Sequence, residues 1–124
     1  MIVYCCADLI FATKIKGTCD MLGIVSRPAR DAAMLQKRLD QVDDGKPNDA
    51  VAAVLIDLDK GDAALPLIEQ CKQHATPPTV LAWGPHVLVD LLKQAKAAGA
   101  DQVLTRGQFT ANLPDILKAL SPPV

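Results

Sequence analysis

A chain of 124 residues is of ordinary size for one domain and long enough to bury a core without disulfides or a structural metal. Half of it is apolar while aromatics supply only 3%, so the core is expected to be Val, Ile, Leu and Ala, as where helices pack on a parallel sheet. Lys and Arg number 13 against 14 Asp and Glu, which gives no basic face for nucleic acid, and no apolar run approaches bilayer length.

The amino terminus, Met1-Ile-Val-Tyr-Cys-Cys-Ala-Asp8, lacks the basic segment and long apolar stretch of a secretory signal. A cytoplasmic protein is expected, with residues 1–124 forming a single domain. Cys5, Cys6, Cys19 and Cys71 show no Cys-x-x-Cys spacing and fall mostly on apolar positions, so reduced, buried thiols are expected.

Ile2 to Cys6 reads as a first strand, and Asp8 is placed to cap the helix after it. Phe11, Ile15, Cys19 and Leu22 recur at helical spacing until Gly23 ends the helix. Gly23 to Ser26 reads as a short second strand. Pro28 then suits the first turn of a helix carrying Ala29, Ala32, Leu35 and Leu39 inward. The polar, breaker-rich stretch Asp43 to Asp49 is expected to be a surface loop.

The unbroken apolar run from Ala50 to Ile56 stops at Asp57 and Asp59, the pattern of a strand buried on both faces. Asp62 is expected to cap a third helix whose Leu67, Ile68 and Cys71 face the sheet, with Pro66 in its first turn. Thr79 to Trp83 is a fourth strand, broken by Gly84-Pro85 before a helix with Leu88, Leu91, Leu92 and Ala95 buried and Gly99 as its left-handed stop. Gln102 to Thr105 is a fifth strand. Arg106-Gly107 leads into a last helical segment divided by Pro114, with Phe109, Leu113, Ile116, Leu117 and Leu120 apolar.

Strands alternating with helices over short connections call for an α/β fold, a five-stranded doubly wound parallel sheet in three αβα layers with right-handed crossovers. The flavodoxin-like order 2-1-3-4-5 puts the first and third strands side by side at the switch point, where such sheets bind ligands.

In this order the chain resembles the receiver domain of bacterial response regulators, of the chemotaxis-receiver type. The likeness spans nearly all of it and is carried by Val54-Leu-Ile-Asp57-Leu, by Ala95-Lys-Ala-Ala-Gly-Ala-Asp-Gln-Val-Leu-Thr-Arg106, and by the spacing between them. The resemblance implies a phosphoacceptor aspartate at Asp57 with Mg²⁺ bound beside it. Phosphoryl transfer to a carboxylate brings anion to anion, so such a site needs a divalent cation and a further cation to offset the charge.

Most of those groups are replaced. The acidic pair at the end of the first strand falls on Cys6 and Ala7, with Asp8 one residue later, and the strand-four hydroxyl falls on Trp83 or Gly84. The strand-five lysine falls on Arg106, its proline on Gly107, an aromatic on Val103, and the Met-Pro turn after the acceptor on Lys60-Gly61. The chain thus resembles an atypical receiver, or pseudo-receiver, in which Asp57 pairs with Arg106 and an internal cation takes the place of the metal.

Several residues carry a second reading. Asp59 reads as a solvated turn residue or as a cation ligand, Asp8 as a cap or as a pocket carboxylate, and Trp83 as a plug over the pocket, a docking mark or core filling. Cys5 and Cys6 point to opposite faces of a strand and cannot readily share one ion. His74 and His86 are expected on the surface and far apart, and Arg27, Arg30, Lys37 and Arg38 on a solvated helix face.

A non-enzymatic signalling or protein-binding module is expected, docking through a face that includes Leu88, Leu92, Arg106 and Phe109. No cofactor and no metal are expected, and neither nucleic acid nor membrane is a partner. A histidine kinase or an effector is a partner that the resemblance implies, and a homodimer is plausible for the fold. Two rivals stand beside this reading. One is a phosphorylatable single-domain response regulator with Mg²⁺ held by Asp8, Asp57 and Asp59. The other is a small-ligand or redox protein of flavodoxin-like shape, for which no Gly-rich phosphate loop follows the first strand.

Overall fold

The computed structural model describes residues 1–43, 46–47 and 49–121. Five strands, β1 (Ile2–Cys5), β2 (Ser26–Pro28), β3 (Ala53–Asp57), β4 (Thr79–Gly84) and β5 (Gln102–Thr105), form one sheet in the order β2-β1-β3-β4-β5. Every neighbouring pair is parallel, with Ile2 opposite both Ser26 and Ala53, Asp57 opposite Trp83, and Gly84 opposite Thr105. The expected α/β flavodoxin-like order is therefore observed.

The helices are α1 (Leu9–Leu22), α2 (Ala32–Leu39), α3 (Ala64–Gln73), α4 (Val89–Ala98), α5 (Arg106–Ala111) and α6 (Leu113–Leu120), with a 3₁₀ segment over Leu58–Ala63. Alternate residues along the strands feed two cores. Val3, Cys5, Val54, Ile56, Val80 and Ala82 pack with Leu35, Ile68, Cys71 and Ala95 on one face. Ile2, Tyr4, Leu55, Leu81 and Trp83 pack with Ile15, Cys19, Phe109 and Leu117 on the other. The two cores pin β3 in the centre, where Ala53, Val54, Leu55 and Ile56 have no exposed surface.

Helix ends follow the local chemistry. Asp8 caps α1 by accepting from the Phe11 N–H at 3.0 Å. At the other end Gly23 takes φ 71°, its N–H donates to the Asp20 carbonyl, and the Ile24 N–H donates to the Cys19 carbonyl, a Schellman closure. Gly99 ends α4 at φ 118°. Thr105 and Gln108 form a reciprocal capping box at α5, and Pro114 opens α6, so the division of the last segment at Pro114 is observed.

Four local expectations are corrected. The second strand is Ser26–Pro28 rather than Gly23 to Ser26, because Gly23 and Ile24 are spent closing α1. Pro28 lies in that edge strand opposite Tyr4, and α2 starts later behind the Asp31 cap, leaving Ala32 exposed while Leu35 and Leu39 are buried. Asp62 caps nothing: it falls inside the 3₁₀ segment, and α3 begins at Ala64 without a side-chain cap. The stretch 43–49 is not wholly irregular, since Val42–Asp43 pairs with Lys46–Pro47 as a short antiparallel ribbon. Asp44, Gly45 and Asn48 of that loop lie outside the described residues.

Candidate functional site

β3 delivers Asp57 to the carboxyl end of the sheet beside the β1–α1 turn, with only 1% of its surface exposed. Its two oxygens are both engaged: the Ala7 N–H donates to Oδ2 at 3.0 Å and the Asp59 N–H to Oδ1 at 2.9 Å. The 3₁₀ segment makes the second bond possible by folding the chain back over the strand end. Burial pushes the Asp57 carboxyl above its ordinary value. The two N–H bonds oppose that shift, and the charges of Asp59 and Asp8 add to it.

The expected Asp57–Arg106 pair is not formed. The Arg106 guanidinium instead pairs with the Asp59 carboxylate and lies 5.7 Å from the centroid of the Phe11 ring. The reason is local: Asp57 is buried at the strand end with a backbone N–H on each oxygen, whereas the carboxylate of Asp59, on the 3₁₀ turn, is exposed and meets Arg106 there. Asp59 is thus an exposed residue of the 3₁₀ turn, as expected, and in addition carries an ion pair. The Arg106 Nε is buried without a partner among the described residues. Lys60 supplies a second cation, its Nζ 3.5 Å from the Cys6 carbonyl.

Cys6, Ala7, Asp59 and Arg106 are brought together around Asp57, while Asp8 is turned to its capping role. Gly84 closes one wall, where an added Cβ would meet the Leu58 Cβ at 2.9 Å, so a hydroxyl side chain does not fit there without displacing Leu58. Trp83 fills the core and is no docking mark: it is wholly buried beside Asp57 in the sheet register, stacked on Phe109 at 4.2 Å between centroids and 7° between planes, with Phe11 at 5.7 Å. Phe109 is equally buried, which removes it from the expected partner face. On that side Leu88 and Leu92 are half-buried, and Val87 and Val89 are the exposed apolar residues, at 70% and 51%.

Among the described residues no three His, Cys, Asp or Glu side chains gather around one point. Asp8 Oδ1 caps α1, Asp59 pairs with Arg106, and each oxygen of Asp57 accepts one N–H bond.

The cysteines are free, three buried and Cys6 half-buried. Burial pushes the thiols of Cys5, Cys6 and Cys71 up to about 12, far from the thiolate needed for nucleophilic or redox chemistry. Cys5 and Cys6 do face opposite cores. His74 and His86 do not converge: His86 is exposed, and His74 Nε2 pairs with Asp40 Oδ1 at 2.9 Å between α3 and α2. Arg38 departs from the expected solvated face, being 7% exposed with its Nε donating to the Pro28 carbonyl at 3.2 Å.

Lys60 and Phe11 escaped the sequence reading of the pocket. Lys60 stood in view as the replacement of the Met-Pro turn. Phe11 carried only a helical period, which says core and nothing about a guanidinium.

No protein-family model matches the sequence, and no curated protein matches it. Solved structures do. A response regulator from Thermotoga maritima superposes with a TM-score of 0.75 at 17% identity, covering 96% of this chain and 94% of that one. The receiver domain of NtrX from Brucella abortus gives 0.75 at 16% identity over 97% of each chain. A response regulator from Burkholderia pseudomallei, solved with a phosphorylated aspartic acid, calcium ion and citrate, gives 0.71 at 22% identity, covering 97% of this chain and 65% of that one. No helix among the described residues is long and apolar enough to cross a membrane. The architecture around Asp57 is thus the fold of response-regulator receiver domains.

Proposed function

We propose that this chain is a receiver-like signalling or protein-binding module whose aspartate pocket is closed to phosphoryl transfer. The observation that carries the reading is the engagement of Asp57, each oxygen held by a backbone N–H, with the neighbouring Asp59 given to Arg106. An acceptor aspartate needs an oxygen free for in-line attack and a dication to neutralise the incoming phosphoryl group. Here the carboxylate fastens the β1–α1 turn to the β3 end, and Lys60 and Arg106 are the cations at the rim.

The partner is a protein, met through the side of α4 and β5, where Val87, Leu88, Val89 and Leu92 form an apolar approach. The module works by docking rather than by catalysis. Beryllofluoride with Mg²⁺, titrated while amide NMR shifts are followed at Ala7, Asp57 and Asp59, tests the pocket. No saturable shift is expected. A saturable, Mg²⁺-dependent shift, or an acyl phosphate on Asp57 after treatment with acetyl phosphate, overturns the reading in favour of a phosphorylatable response regulator.

A further inference from the structure

A groove of about 630 Å³ runs beside α1 at the carboxyl ends of β1 and β2. Its size falls within the ordinary range of small-molecule sites, roughly 300–1,000 Å³. One wall is α1, the other is the chain leaving β2 at Pro28, Ala29 and Arg30, and Tyr4 lies at the floor.

Three observations mark it as more than a surface dent. Tyr4 is 6% exposed, yet its hydroxyl makes no hydrogen bond among the described residues. The hydroxyl lies within electrostatic reach of Lys16 and Asp20, which also line the groove and bond each other at 3.0 Å. The ring is buried while the oxygen, which is not among the enclosed unpartnered atoms, opens into the groove. Gly17 sits in the interior of α1 with nothing within 4 Å of where a Cβ would be, so no packing contact calls for glycine, the residue that weakens a helix interior. What its bare backbone does is keep the groove open. Arg30 stands exposed at the mouth with no ion pair among the described residues.

We propose that this groove binds a small apolar molecule bearing one carboxylate. The apolar body lies over Ala12, Gly17 and Pro28, the carboxylate faces the Arg30 guanidinium, and a polar atom of the ligand reaches the Tyr4 hydroxyl. The Tyr4 hydroxyl is open to the groove at its floor and free to bond an atom that enters it, which a compact amphiphile supplies. The groove adjoins the Asp57 pocket through Cys6, Ala7 and Asp8 but does not include Asp57, and the proposal does not require that carboxylate to be silent.

Phenylacetate titrated into isotope-labelled protein, with benzyl alcohol as the uncharged counterpart, tests the assignment by amide NMR. Saturable shifts at Ala12, Gly17 and Ala29 are expected at millimolar phenylacetate, with benzyl alcohol weaker. Arg30→Ala is expected to weaken phenylacetate about tenfold, the worth of one charge-assisted hydrogen bond. Gly17→Leu, which projects into open space and leaves the core spectrum unchanged, is expected to abolish the shifts. Shifts that survive Gly17→Leu overturn the proposal, as does equal affinity for the two probes. A lack of saturable shift with either probe also overturns it and leaves the groove to a macromolecular partner.

Discussion

Asp57 and Asp101 are both aspartates at the margins of the sheet, yet their surroundings push them in opposite directions. Burial resists ionisation of Asp101, but the Val80 N–H on Oδ2 at 2.7 Å and the Lys72 ammonium at 2.9 Å overcome it and hold the carboxyl below its ordinary value. Asp57 receives two N–H bonds and no direct cation, so burial wins and its carboxyl rises. The signs of linkage follow. The contribution of Asp101 is present above its unfolded value and lost as pH falls through its folded one. The contribution of Asp57 is present at low pH and lost as pH rises through its elevated folded value. In urea unfolding across pH, Asp101→Ala is expected to lower stability at neutral pH by about 1 kcal/mol, mostly through the Val80 N–H because the half-exposed ion pair is screened. The variant is also expected to flatten the acid limb. Asp57→Asn is expected to remove the decline on the rising side. An unchanged slope there would show that the ionised carboxylate is not penalised in the folded state.

Single elements show how one residue type serves opposite ends. Gly17 has no neighbour to satisfy, so Gly17→Ala is expected to stabilise the protein by about 0.5–1 kcal/mol through helix propensity. Gly99 has φ 118°, and its Cβ would meet Lys72 Cγ at 2.9 Å. Gly99→Ala is therefore expected to destabilise by at least about 1–2 kcal/mol. Parallel thermal unfolding of the two variants checks both signs. The edge strand β2 shows a second economy of means: Pro28 has no N–H, and its carbonyl is bonded by Arg38, so the edge offers little to an incoming strand. These elements also show what was legible in advance. β3 was, because a run with no polar alternation admits few other placements, and the stop at Gly99 was, because only glycine suits that backbone. β2 was not, because Ile24 and Val25 look like strand residues while Ile24 is bonded back to Cys19 to close α1. The partner of Arg106 was hidden for a similar reason. Which of Asp57 and Asp59 faces a cation is decided by a 3₁₀ turn that places the Asp59 N–H, not its carboxylate, over the strand end.

At the scale of the molecule the two cores are chemically unequal. All four aromatic residues, Tyr4, Phe11, Trp83 and Phe109, lie on the α1, α5 and α6 side, while the opposite core is built from aliphatic residues, alanines and the thiols of Cys5 and Cys71. Trp83 fluorescence therefore reports directly on one layer only. The sheet is common to both, and each of its inner strands alternates residues between them, so neither layer keeps its floor if the other is lost. Leu35, on α2 and wholly buried in the aliphatic core, provides the test. Leu35→Ala is expected to cost about 2–4 kcal/mol from lost burial and the cavity left behind. The denaturation midpoint seen by Trp83 fluorescence is expected to fall by the same amount as the one seen by far-UV circular dichroism, although no aromatic ring lies on the mutated side. A fluorescence midpoint that stays in place while the circular-dichroism midpoint moves would mean that the two layers unfold independently and that β3 does not couple them.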